Sequence, residues 1–161
     1  MNTHAERYTQ DFYAWTQAQA VLLEAQRFDA LDIVNIVEEI TSLGASERRA
    51  LGSHLKQLML HLLQWQYQPS GRQIGHSWRS SIHHARDESA VVLEDSPSLR
   101  REVPRLLARR YPAARLLAQD ETGLPLATFP PTCPWTAAQV LDDDFWPEEA
   151  TPSGPRGEQR R

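Results

Sequence analysis

An apolar stripe of unusual length runs through residues 33–65 and restricts the folds open to this chain. At 100° per residue, nine apolar side chains fall within a sector about 100° wide. They are Ile33, Ile36, Val37, Ile40, Leu51, Leu55, Leu58, Leu62 and Trp65. The phase continues across Gly44 and Gly52, each of which costs a helix roughly 1 kcal/mol. The stripe therefore predicts one helix, or two collinear helices, over residues 32–67, about 50 Å long at 1.5 Å per residue.

Capping residues predict helices on both sides of this one. Asp11 is placed to cap a helix that runs to about Gln26, and Ser77 to cap a helix that ends at "LEDSPSLR". Helical periodicity then continues over residues 99–119, where two prolines at 104 and 112 predict a kink or a split.

A last short helix is predicted near the C-terminus, because Thr136 and Gln139 have the spacing of a capping box. The preceding segment "ETGLPLATFPPTCPW" is too rich in proline for a helix interior. The aromatic side chains in and after it are predicted to anchor this segment to the helices; they are Phe129, Trp135, Phe145 and Trp146.

These patterns define the expected fold class. No stretch alternates with period two over more than four residues, so the chain is predicted to be all-α. We expect an antiparallel helical bundle with one very long helix (about 32–67) and an extended proline-rich C-terminal arm. Residues 1–149 are predicted to form a single helical domain, and residues 150–161, which lack an apolar anchor, a disordered tail.

The composition excludes several classes of protein. The longest apolar runs fall far short of the ~20 residues that span a bilayer, so no membrane association is predicted. The N-terminus has no secretory pattern. A lone cysteine, Cys133, rules out an internal disulfide and is typical of a reducing compartment, so the expected location is cytoplasmic.

The formal net charge of −4 is spread unevenly. Residues 72–115 carry nine arginines against five acidic side chains, whereas residues 1–71 carry five basic against eight acidic ones, and residues 116–161 three against eight. A basic middle between acidic ends is typical of a nucleic-acid-binding face. It equally results when an acidic end folds back over basic helices, and we favour this second interpretation.

Four arginines are candidate anion-binding residues: Arg79, Arg101, Arg105 and Arg109. The last three recur at i,i+4 spacing, and phosphate contacts need such a density of positive charge. No helix-turn-helix, RNA-binding aromatic platform or zinc finger accompanies them. A solvated helix face is favoured, and an arginine-dependent nucleic-acid binder using residues 72–115 is the first alternative function.

A mostly uncharged polar row lies beside the apolar stripe, and it predicts a polar seam or cleft. Its candidate members are Glu39, His54, Gln57, His61, Gln64 and Trp65. Side chains that both donate and accept hydrogen bonds suit a partly buried helix contact. We predict that His61 is substantially buried and bonds a protein group or an ordered water. For Glu39 we expect a helix-borne arginine such as Arg79 as the partner.

Metal binding by His61 is disfavoured by spacing. Zinc needs three or four ligands at about 2.0–2.3 Å, whereas His54 and His61 are about 10.5 Å apart along a helix axis. The helical phase of His83 and His84 directs both towards solvent. No metal ligand and no cofactor is predicted, and a helical-bundle metalloenzyme centred on His61 is the second alternative function.

Six segments together resemble a known family. They are "DFYAWTQ", "FDALDIVNIVEEITSLGASERRAL", "LMLHLLQWQYQP", "SWRSSI", "LEDSPSLR" and "ETGLPLATFPPTCPWTAAQVLDDDFWP". They look like the bacterial family catalogued as domain of unknown function twenty-nine, from about Tyr8 to Glu148. The resemblance implies a small helical intracellular bacterial protein and brings no established activity or catalytic residue. Pro104 and Pro112 depart from the family's more regular fourth helix, and the tail lies outside the match.

The sequence contains no recognisable catalytic motif. The serines lack a glycine-flanked elbow, there is no glycine-rich phosphate loop, and Cys133 sits between prolines as a packed thiol. We therefore predict a cytoplasmic helical protein that acts as a non-enzymatic protein–protein interaction module, through a protein partner or by self-association.

Overall fold

The computed structural model describes the backbone of residues 3–70 and 76–150, and every regular element in those ranges is helical. In chain order the α-helices are α1 (Thr3–Gln10), α2 (Phe12–Glu24), α3 (Ile33–Tyr67), α4 (His76–Asp95), α5 (Val103–Thr122) and α6 (Ala137–Leu141). Short 3-10 helices occupy Phe28–Ala30, Pro97–Glu102 and Leu126–Thr128. The predicted all-α class is confirmed. The predicted disordered tail, apart from Ala150, lies outside the described residues.

The predicted long helix is α3, an uninterrupted element of 35 residues. Its bounds agree with the prediction to within one residue, and both glycines lie inside it. A Cβ atom added at Gly44 would have nothing within 4 Å, whereas one added at Gly52 would meet Nε of Arg110 at 3.0 Å. Gly52 thus permits the close approach of Arg110 to α3, and Gly44 has no comparable neighbour.

The chain divides into two compact units, Met1–Ser46 (unit 1) and Glu47–Arg161 (unit 2), and α3 contributes residues to both. The interpretation of residues 1–149 as one domain stays a prediction. In unit 1 the described buried side chains are Trp15 and Gln19. Trp15 Nε1 donates to Asp32 Oδ2 at 3.2 Å, and the Asp32 backbone N–H donates to Gln19 Oε1 at 2.9 Å. Hydrogen bonds to Asp32 therefore tie α2 to the start of α3.

Unit 2 contains the main hydrophobic core. Four α3 leucines of the apolar stripe, Leu51, Leu55, Leu58 and Leu62, are fully buried. Side chains from α4, α5 and the C-terminal segment (residues 123–150) pack in the same cluster, among them Ile82, Leu93, Leu106, Tyr111, Phe129 and Val140. None of the helices in the described ranges is long and apolar enough to cross a membrane.

Two predicted caps are confirmed and one is wrong. Asp11 Oδ1 accepts from the Ala14 backbone N–H at 3.0 Å, and Thr136 and Gln139 form the predicted capping box. The predicted cap at Ser77 is wrong because α4 already begins at His76. Helix α1, which precedes Asp11, was not predicted.

The predicted split is found next to Pro104 and not at Pro112. The segment changes from 3-10 to α-helix at Val103, and Pro104 lies in the first turn of α5, where a missing N–H costs little. Pro112 lies inside α5 without ending it. The helix continues to Thr122 and ends at Gly123, whose φ of 71° is readily adopted by glycine.

Candidate functional site

Part of the predicted polar seam opens onto a groove between α3 and α4 in unit 2. The groove has a volume of about 260 Å³. Helix α3 contributes two histidines seven residues apart, and α4 contributes a histidine and a glutamate four apart; both spacings place side chains on one helix face. We call this site the histidine groove, and its lining residues are His54, Gln57, His61, Ser81, His84, Ala85 and Glu88.

A chain of hydrogen bonds fixes the tautomer of neutral His61. The buried Gln64 donates from Nε2 to Glu121 Oε2 at 2.5 Å, and its Oε1 lies 2.9 Å from His61 Nδ1. Because Gln64 Oε1 can only accept, His61 Nδ1 carries the hydrogen, and neutral His61 keeps a lone pair on Nε2. The predicted protein partner of His61 is confirmed, and the side chain is partly buried.

The two other groove histidines differ in exposure, His54 being partly buried and His84 exposed. His54 Nε2 lies 3.9 Å from Glu88 Oε2, with 31% and 43% of the two side chains exposed, so this pair is a weak, solvent-screened contact. His84 is exposed, as its helical phase predicts. Across the described residues no group of three or more His, Cys, Asp or Glu side chains could hold a metal ion. The groove can therefore offer hydrogen-bond acceptors and donors from individual side chains.

Glu39 does not belong to the groove. It lies in unit 1, where its Oε1 accepts a hydrogen bond of 2.5 Å from the Tyr8 hydroxyl. The expected partnership with Arg79 is therefore wrong. The hydrogen bond to the Glu39 carboxylate, with smaller effects from burial and nearby acids, raises the pKa of Tyr8 to about 12.

Trp65 and Arg79 meet at a different place, around Trp146 of the C-terminal segment. The ring centroids of Trp65 and Trp146 are 4.7 Å apart, and the Arg79 guanidinium lies 5.2 Å from the Trp146 ring. The three other candidate anion-binding residues, Arg101, Arg105 and Arg109, are exposed on a 3-10 helix and on α5. None of the four lines the histidine groove.

Arg86, which donates three hydrogen bonds to backbone carbonyls, was missed by the sequence analysis. It is 2% exposed, and its guanidinium donates to the backbone carbonyls of Val140, Asp143 and Phe145 at 3.0, 3.3 and 2.7 Å. Burial lowers the pKa of Arg86, and the carboxylates of Asp143 and Asp142 partly oppose that shift. Arg86 directly follows Ala85, which is buried in the core, and this neighbourhood was the available signal.

A second arginine acts in the same way on another part of the C-terminal segment. Arg115 donates to the carbonyls of Phe129 and Leu126 at 3.2 and 2.9 Å. Arg86 and Arg115 thus each satisfy backbone acceptors in segment 123–150, which has little regular structure of its own. These two arginines therefore stabilise the fold and do not merely add charge to the surface.

A larger apolar cavity, about 620 Å³, lies between α5 and the C-terminal segment and includes Tyr111, Cys133 and Trp135 in its lining. The Cys133 thiol lies 3.5 Å from the Trp135 carbonyl oxygen, and burial raises the pKa of Cys133. Burial also raises the pKa of Tyr111. Because the thiolate is the reactive form, Cys133 is a packed thiol, as predicted, and not an activated nucleophile.

The apolar stripe of α3 has two different environments. Positions 33, 37 and 40 leave the helix in the same directions as positions 51, 55 and 58, because 18 residues make five turns. The latter three are fully buried leucines, whereas Ile33, Val37 and Ile40 are 53%, 57% and 64% exposed. Two further exposed aliphatic side chains widen the first set. We call these residues the open stripe: Ile33, Val34, Val37, Ile40 and Leu43.

The helices, the histidine groove and the open stripe define an all-α protein with a polar cleft and an exposed apolar helix face in its described residues. The model of the family described as domain of unknown function DUF29 matches residues 7–146, and the chain belongs to this family. Comparison with curated proteins and with solved structures finds no significant match.

Proposed function

We propose that this protein is a non-enzymatic protein–protein interaction module and that the open stripe is its docking surface. The observation behind this proposal is the exposure of five aliphatic side chains of α3, from 53% at Ile33 to 77% at Val34. Ile33, Val37 and Ile40 form one face, and Val34 and Leu43 lie about 90° to either side of it. Isolated soluble domains rarely expose contiguous apolar patches larger than a few hundred Å², and larger ones are typical of interaction sites.

The distribution of exposed apolar side chains supports the choice of this face. Single exposed aliphatic residues are common and need no explanation. Among the described residues, however, unit 1 contains ten of the twelve large hydrophobic side chains that are exposed; Val91 and Leu116 of unit 2 are the other two. This concentration favours a specific docking surface over random scatter.

We also propose an architecture and a cellular location for this module. An antiparallel pairing of α3 with α4 is supported by the groove, where His54 lies beside Glu88 and His61 shares the lining with Ser81. An extended proline-rich arm over residues 123–150 is supported by the carbonyls that Arg86 and Arg115 bind. The lone Cys133 supports a reducing compartment such as the cytoplasm.

Site-specific photo-crosslinking tests the proposal. A photoreactive amino acid is placed at Val34, the most exposed residue of the open stripe, and the full-length protein is irradiated in its native cells. The matched control carries the same amino acid at Leu116, which is 52% exposed in unit 2. Both positions are accessible to solvent. A difference between them therefore reflects which surface contacts a partner, and not how easily the photoreactive group is reached.

The expected result is a discrete crosslinked species from position 34 that is absent from position 116. A further pair of substitutions, Val37→Ser with Ile40→Ser, should abolish that species while the protein remains folded. No discrete species at position 34, or the same set of products at both positions, would contradict the proposed docking surface.

A further inference from the structure

We infer that the open stripe receives a cationic amphipathic α-helix of another protein. This inference rests on the proposed function and specifies the chemistry of the partner. Three observations support it: the continuity of the open stripe with a stripe that helices already cover, the free space at Gly44, and the charge of unit 1.

The stripe itself favours a helix as the occupant. In unit 2 the buried half of the α3 stripe packs in one cluster with side chains of α4 and α5, including Ile82 and Leu106. The open stripe repeats the same directions, with Ile33, Val37 and Ile40 at the four-and-three spacing that receives side chains of a facing helix. A surface with the same periodicity as a helix-covered one is suited to another helix.

Gly44 lies four residues after Ile40 and so continues the four-and-three spacing of the open stripe. Glycine is unfavourable in a helix interior, and at Gly44 no neighbour lies within 4 Å of where a Cβ would be. Nothing in the described residues therefore needs a glycine there, in contrast to Gly52 beside Arg110. The missing side chain leaves room for a partner's backbone to approach α3 closely at the end of the open stripe.

The charge of unit 1 decides between a second copy and a cationic partner. Residues 1–46 contain seven acidic and two basic side chains, a formal charge of −5. One of the two arginines, Arg27, is already paired with Asp29 at 3.3 Å. Glu38, one turn after Val34, is exposed at the edge of the open stripe. Two copies that met through this unit would repel each other, whereas a helix with Lys or Arg beside its apolar face would be attracted.

Two synthetic helices of about 18 residues, long enough to form helix in water, are the probes. Both have the same leucine stripe; one has lysine on its polar face and the other has glutamate. Binding to the full-length protein is measured by fluorescence anisotropy at low and at physiological salt. The test variant is Val37→Ser with Ile40→Ser, and the matched control is Val91→Ser with Leu116→Ser, which removes two exposed aliphatic side chains from unit 2.

The lysine helix should bind more tightly than the glutamate helix, and its binding should weaken as salt is added. Val37→Ser with Ile40→Ser should weaken it by about tenfold or more, since each lost apolar contact of this size contributes roughly a factor of ten. The control pair should change the affinity by less than about twofold, because surface substitutions outside a contact have small effects. Glu38→Gln should weaken the binding of the lysine helix and leave the binding of the glutamate helix unchanged.

Other outcomes overturn the inference and remain distinguishable from failure of the proposed function. If both helices bind equally and the open-stripe variant weakens both, the charge assignment is wrong and the docking surface stands. If neither helix binds, but the protein sediments as a dimer that the open-stripe variant dissociates, the occupant is a second copy. If the control pair weakens binding as much as the open-stripe pair, the inference fails. It also fails if neither helix binds and no dimer forms. In both cases the proposed docking surface is tested separately, by the crosslinking at Val34.

Discussion

Ile40 and Leu58 leave α3 in the same direction, five turns apart, yet Ile40 is 64% exposed and Leu58 is fully buried. The two residues are therefore a matched pair for measuring how much of the apolar stripe contributes to folding. We expect Leu58→Ala to lower the free energy of unfolding by about 2–5 kcal/mol, because it leaves a cavity in the core. Ile40→Ala should change it by about 0.5 kcal/mol or less. Urea unfolding of both variants measures the difference, and equal losses would show that Ile40 is covered.

The two glycines of α3 give a second matched pair. Gly44→Ala should raise the free energy of unfolding by about 1 kcal/mol, because alanine favours helix and its Cβ meets no neighbour. Gly52→Ala should fail to give this gain, because its Cβ would lie 3.0 Å from Nε of Arg110 and the half-buried guanidinium would have to move. Thermal unfolding of the two variants tests this, and an equal rise in melting temperature would contradict the close approach of Arg110.

His61 should be replaceable by glutamine more easily than by leucine. In His61→Gln a side-chain amide can still donate to Gln64 Oε1, whereas in His61→Leu that buried oxygen loses its donor. An unpaired buried acceptor costs about 1–3 kcal/mol, which is the expected difference between the two variants in urea unfolding. Gln64→Leu removes the acceptor, so adding it to both His61 variants should abolish the difference in their stability. If the difference remains, it arises from packing and not from the hydrogen bond.

Arg86 should be essential to the stability of unit 2. Arg86→Met removes the donors to three carbonyls in residues 140–145, and hydrogen bonds to a charged group contribute about 1.5–3 kcal/mol each. We expect a loss of about 3 kcal/mol or more in the free energy of unfolding. The control Arg109→Met removes an exposed arginine from α5 and should cost about 0.5 kcal/mol or less. Similar losses in both would show that the carbonyl contacts contribute little.

Tyr8 should make unit 1 less stable at high pH. Its pKa is raised from 10.0 to about 12, mainly by the hydrogen bond to Glu39. A raised pKa in the folded state gives stability that is fully present below pH 10.0 and is lost as the pH rises towards 12. Ultraviolet absorbance of tyrosinate should reveal this late titration, and Tyr8→Phe should remove it. Glu39→Gln should lower the pKa of Tyr8 towards its ordinary value of 10.0. An unchanged pKa in that variant would show that another group causes the shift.

The elements that the sequence predicted are those controlled by residues close together in the chain. The length of α3 follows from periodicity along a single helix, and the capping box of Thr136 with Gln139 depends on groups three residues apart. The common direction in which Leu51, Leu55 and Leu58 leave α3 follows from the same phase. Local spacing was sufficient for each of these predictions.

The polar contacts of the candidate site were less predictable because they join distant parts of the chain. Tyr8 and Glu39 are separated by 31 residues, and Gln64 and Glu121 by 57. Neither pair has a local signature, so the partner of Glu39 was assigned wrongly. Periodicity likewise gives the direction in which Ile40 points, but not whether another helix covers it.

Arg86 and its last acceptor, the Phe145 carbonyl, are 59 residues apart, and this separation sets an order of events during synthesis. Helix α4 leaves the ribosome long before residues 140–145 do, and a guanidinium buried without those carbonyls would be an uncompensated charge. We therefore expect the packing of α4 in unit 2 to be completed only once the C-terminal segment has been synthesised. Until then part of the core should stay open, and the nascent chain should be most prone to aggregation.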